Sequence, residues 1–236
     1  MNDILTISDL RCGYHNRRVL NDITLTLMQG ETVLVAGPNG CGKSTLLKAI
    51  IGMLPLTRGT ITFDGNDLRH TSIEHRINRG IGYLPQTGNI FPGLTVQENL
   101  ALSGLSIPSN DLAAATDSVL TLFDFLRPLL DRRAGLLSGG QRQALAIAMV
   151  LLHPRKLYLL DEPTAGLSPK AAIDIIERVH QFTATHPQCT ILMVEHRLEL
   201  VSWVNRALVL IQGNIKADTR DTALLHNPEW MATHYF

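Results

Sequence analysis

The chain is 236 residues long, carries 21 Lys+Arg against 21 Asp+Glu, and is 45% hydrophobic. That length buries the core of one large domain or two small ones, and the lack of a basic excess argues against nucleic acid as a partner. No apolar run reaches the roughly eighteen residues of a membrane span; residues 144–152 are apolar but too short.

In chain order, residues 4–10, 23–28 and 32–36 read as strands. Thr32-Val33-Leu34-Val35-Ala36 is almost wholly apolar, the pattern of a strand buried on both faces of a parallel sheet. It runs into a glycine-rich loop, after which 44–53 reads as a helix and 59–64 and 80–84 as strands. Between Gln86 and about Arg155 the pattern turns helical. Thr95-Val96-Gln97-Glu98 has capping-box spacing and starts one helix; 111–125 and 138–152 supply two more. Beyond lie a strand at 157–160, a helix at 169–185, and strands at 190–194 and 207–211. Strand–helix alternation on both sides of a helical insert predicts an α/β fold. The expected organisation is one domain over 1–236 carrying a helical subdomain at about 88–155, with no repeat or linker.

Gly37-Pro38-Asn39-Gly40-Cys41-Gly42-Lys43-Ser44-Thr45 fits G-x-x-x-x-G-K-S between a strand and a helix. Glycines let successive N–H groups face an anion, and the helix N-terminus adds positive potential. Lys43 is placed to bridge terminal phosphates and Ser44 to bind Mg²⁺. Asp161 and Glu162 end the strand at 157–160, where an adjacent carboxylate pair has little structural use. Asp161 is expected to hold Mg²⁺, directly or through water. Glu162 is expected to act as general base on the attacking water, the alternative being that it solvates the strand end. Ser138-Gly139-Gly140-Gln141 has capping-box spacing too, yet two glycines in a first turn weaken a helix. They make sense where bare backbone must approach a phosphate.

Cys12, Cys41 and Cys189 are widely spaced and form neither a disulfide framework nor a metal cluster, and the nine histidines show no metal-like spacing. Free thiols suit a reducing compartment, and Met1-Asn2-Asp3-Ile4 lacks the basic start of a signal peptide. Cys41, near Lys43 and a helix N-terminus, is expected to be more nucleophilic than an ordinary buried cysteine; the alternative is a thiol packed away and inert.

The glycine loop, Leu137-Ser138-Gly139-Gly140-Gln141 and Leu159-Leu160-Asp161-Glu162-Pro163, in that order, resemble the ATP-binding cassette (ABC) ATPases over essentially the whole chain. The resemblance implies a P-loop NTPase (RecA-like) core with an N-terminal antiparallel β region and a helical subdomain. It implies ATP and Mg²⁺ as ligands. Tyr14 matches the family aromatic that stacks on adenine. Gln86 matches the glutamine that joins core to helical subdomain and senses Mg²⁺ and water. His196 matches the histidine that contacts the γ-phosphate. Ser138, Gly139, Gly140 and Gln141 would face the γ-phosphate bound by a second subunit, which implies an ATP-dependent head-to-tail dimer, with itself or with a paralogous ATPase.

Two positions depart from the family pattern: Ser168 stands where many members have Asp, and Met149 where Arg is common. Ser168-Pro169 still supplies an N-cap and an N1 proline. Residues 82–100 and 224–229 resemble the group that powers uptake of branched-chain amino acids, urea and short amides. The resemblance therefore implies a subunit on the cytoplasmic face of the cell membrane, working with integral membrane permeases and a substrate-binding protein. A permease helix is expected at the seam between core and helical subdomain, beside Ile90-Phe91-Pro92 and Leu94; the alternative is that Ile90 and Phe91 pack inside that subdomain. The competing function is a soluble ABC ATPase of the assembly type, as in iron–sulfur cluster biogenesis.

Overall fold

The computed structural model describes residues 2–15 and 17–234; Met1, Asn16, Tyr235 and Phe236 lie outside them. Two compact units share the chain. The first comprises Met1–Ile81, Lys156–Asp161 and Gln188–Phe236, the second Gly82–Arg155 and Glu162–Pro187.

The first unit holds an antiparallel sheet, β1 (Asp3–Tyr14), β2 (Arg17–Met28), β4 (Leu56–Phe63) and β5 (Asn66–Asp67), in the order β2-β1-β4-β5. Both β1 and β2 run past the alternating segments read from the sequence. Asp9 and Asp22 take left-handed backbone (φ 50°), and the β1–β2 register shifts near Asp9, so the period of two breaks while pairing continues.

The second sheet of this unit is built on β3 (Thr32–Ala36), β7 (Leu157–Asp161), β8 (Thr190–Val194), β9 (Arg206–Ile211) and β10 (Asn214–Thr219), in the order β10-β9-β3-β8-β7. Strands β3, β7 and β8 are buried at every position, as parallel strands covered on both faces are. Their register aligns Val35 with Val194 and Val194 with Asp161, so three strands end at one level. Against β7 packs α1 (Lys43–Ile51). It stops two residues before the reading from sequence because Gly52 turns left-handed and its N–H closes on Lys48 and Ala49 oxygens. Arg76, buried in α2 (Ile73–Asn78), donates to Ala49 O and Ile50 O at the same helix end.

The chain enters the second unit through β6 (Ile81–Leu84). That unit is helical: α3 (Val96–Ser103), α4 (Ser109–Leu122), α5 (Gly139–Leu151) and α6 (Pro169–Thr185). Thr95 and Ser138 both form complete capping boxes, and Ser168 caps α6 ahead of Pro169, all as the sequence indicates. The reading of 111–125 as one helix needs correction: α4 ends at Leu122, and a 3₁₀ turn over Asp124–Leu129 follows, enclosing Pro128. A last helix, α7 (Pro228–His234), closes the described chain. Among the described residues no helix is long and apolar enough to cross a membrane.

Candidate functional site

The phosphate-type loop hangs from the C-terminal end of β3, where parallel α/β sheets place their ligand crevices. Gly37, Gly40 and Gly42 all have positive φ (144°, 77° and 114°), which L side chains rarely adopt. At Gly37 space adds a second demand: a Cβ would lie 2.1 Å from Leu210 O. Cys41 O accepts from Gly213 N at 2.8 Å, so the loop is pinned to the turn after β9. Lys43 is buried, and its Nζ donates to Gly37 O (2.8 Å) and Pro38 O (3.0 Å), bending the side chain back over the loop. Gly42 caps α1 without a side chain, and the first turn has no acidic residue. Its N–H groups and dipole therefore suit an anion.

Asp161, 1% exposed, ends β7 and accepts from Ser44 Oγ at 2.8 Å. This bond brings together two residues read as metal ligands, 117 positions apart in sequence. A hydroxyl and a carboxylate form the all-oxygen donor set a hard cation such as Mg²⁺ takes, so the residues fit that ion. His196, half-buried, follows β8 by two residues. Tyr14, 40% exposed, ends β1, with Lys48 Nζ of α1 5.9 Å from its ring centroid.

In the helical unit, Gln86 Nε2 donates to Glu162 Oε2 at 2.6 Å, joining residues the sequence left far apart. Glu162 itself is left-handed (φ 50°), an uncommon and costly state for a non-glycine residue and one that clusters at functional sites. Ser138 and Gly139 are exposed; Ser138 N donates to Gln141 Oε1 (2.9 Å) and Gln141 N to Ser138 Oγ (3.3 Å). Gly140 has a packing reason that the sequence did not reveal: a Cβ there would sit 3.2 Å from Ala171 Cβ of α6. Gly139 is under no comparable constraint, its nearest such contact being 3.8 Å away. Phe91 is 51% exposed on a loop held by buried Asn99, which accepts from Phe91 N (2.8 Å) and donates to Phe91 O (3.0 Å). Ile90 is half-buried, so the alternative of inward packing fails for Phe91 and holds in part for Ile90.

With this geometry in view, comparison with known proteins is specific. The ABC transporter family profile matches residues 20–165. A probable branched-chain amino acid transport ATP-binding protein, LivF of Archaeoglobus fulgidus, is 35% identical over 222 residues, covering 94% of either chain. The lipopolysaccharide export system ATP-binding protein LptB of Escherichia coli is also 35% identical, over 228 residues, 94% of this chain and 93% of that one. Among solved structures, MJ1267, an ATP-binding cassette of an ABC transporter, superposes with a TM-score of 0.88 at 28% identity, covering all of both chains.

Cys41 is packed away, as its alternative reading has it. The thiol is 5% exposed, and burial raises its pKa against the opposing pull of Lys43. A raised pKa means less thiolate at any working pH, hence a weaker nucleophile. Cys12 and Cys189 are pushed up to about 11 by burial. We expect maleimide to label native Cys41 at pH 8 more slowly than a free thiol, and faster as pH rises. Mass-spectrometric labelling rates check this; labelling as fast as a free cysteine contradicts it.

Proposed function

Because the chain belongs to the ABC transporter family, whose ATP-binding proteins hydrolyse ATP to drive transport, we propose that it energises import of branched-chain amino acids or related small solutes such as urea and amides. The Ser44–Asp161 bond beside the glycine loop carries the ATPase part of this reading, and the likeness to LivF supports the substrate class. The equal identity to LptB favours a second reading, export of a lipid-like solute.

In the proposed reaction the loop Gly37–Thr45 cradles the phosphates through its N–H groups, with Lys43 on the terminal ones, and Tyr14 stacks on adenine. Ser44, Asp161 and Gln86 would hold Mg²⁺, which would supply positive charge against the phosphates. Glu162 takes a proton from water as its oxygen attacks the γ-phosphorus and the bond to the β–γ bridging oxygen breaks, releasing ADP. Gln86 holds that carboxylate in place. His196 contacts the γ-phosphate. Ser138, Gly139, Gly140 and Gln141 of a second subunit close the site, so two copies, or one with a paralogous ATPase, act head to tail. ATP binding closes the pair and hydrolysis reopens it, switching a membrane permease between its two accesses. The permease rests on the Phe91 loop, with the ATPase at the cytoplasmic face and a substrate-binding protein outside.

Two outcomes test this. Glu162→Gln should lower ATP turnover at least about a hundredfold, the loss expected without a general base, while ATP binding persists. Near-normal turnover of the purified variant removes Glu162 from the role. Phe91→Ala should reduce permease co-purification and amino-acid uptake together, with ATP affinity within about twofold of the parent, since an exposed ring contributes to a partner rather than to the core. Uptake of branched-chain amino acids that survives deletion of the chain would move the export reading to first place.

A further inference from the structure

We infer that Glu195 is a positioning residue for hydrolysis: its carboxylate fastens the turn that carries His196 and so sets where the imidazole stands. The inference rests on the reading of His196 as a γ-phosphate contact. Glu195 is 3% exposed, directly after the fully buried strand β8. Its Oε1 accepts from two successive backbone N–H groups, His196 N at 2.7 Å and Arg197 N at 3.1 Å. These are charge-assisted bonds, shorter and stronger than neutral ones. A buried carboxylate that loses donors is costly, so a swing of the turn carries a penalty at Glu195.

The location gives the fastening a purpose. Val194 pairs with Val35 on one side and Asp161 on the other, so the Glu195 turn starts level with the phosphate loop and the carboxylate that Ser44 binds. Other buried charges of this unit serve different ends. Glu31 pairs with Arg206 and Arg220, and Arg76 closes on carbonyls at the far end of α1. The carboxylate of Glu195 reaches the backbone of a residue read as touching substrate.

The test is a double-mutant cycle on the full chain, reading kcat and KM for ATP. Glu195→Ala should lower kcat roughly ten- to hundredfold, the cost of a misplaced group, with KM within about twofold. In a His196→Ala background the same change should cost nothing further, because its effect passes through the imidazole. Glu195→Gln keeps an acceptor oxygen and should recover most of the rate; it also serves if Glu195→Ala does not fold. Losses that multiply in the double variant, or a Glu195→Gln variant as slow as His196→Ala, overturn the proposal. A His196→Ala variant with normal turnover overturns the reading of His196 and, with it, the role of Glu195, an outcome separate from multiplied losses.

Discussion

The parallel register that sets Val35, Val194 and Asp161 side by side is the constraint on which the rest depends. It makes three strands end together, and each end carries a different chemical group. The glycine loop follows β3, the Asp161 carboxylate ends β7, and the Glu195–His196 turn follows β8. Ser44 Oγ then closes the distance between the first two with one 2.8 Å hydrogen bond. Burial on both faces holds the strands in place, so the apolar runs that read as hydrophobic core also fix the chemistry at their tips.

A second constraint lies in the chain itself. Asp161 ends one compact unit, and Glu162, its covalent neighbour, begins the next segment of the other. The two carboxylates thus have different partners, Ser44 for Asp161 and Gln86 for Glu162. The left-handed backbone at Glu162 stores local strain at that junction. The helical unit shows the same economy at Asn99, whose buried amide binds both backbone groups of Phe91 and leaves the ring half in water.

Much of this was legible in the sequence because local rules and tertiary demands agree. The capping boxes at Thr95 and Ser138, the Ser168-Pro169 start of α6 and the all-apolar strands formed as their residues dictate. What was missed depends on residues distant in sequence. Gly213 anchoring Cys41, Ala171 crowding Gly140, and Lys48 over Tyr14 have no local signature. Strand β10 is only partly buried and α2 is six residues long, so neither displays a full hydrophobic period. At Cys41 the nearby cation and helix terminus are visible in sequence, whereas the burial that outweighs them is not.

The central claim, that this chain supplies two complementary halves of an ATP site, has one direct measurement. Two tagged copies are co-expressed so that Lys43→Ala lies on one and Ser138→Arg on the other, or both lie on the same copy opposite an unaltered one. Nucleotide occluded per dimer is then counted. Head-to-tail sites predict that the first arrangement spoils one site twice and still occludes a nucleotide at the other, while the second damages both sites and occludes none. Equal occlusion in the two arrangements would contradict the account.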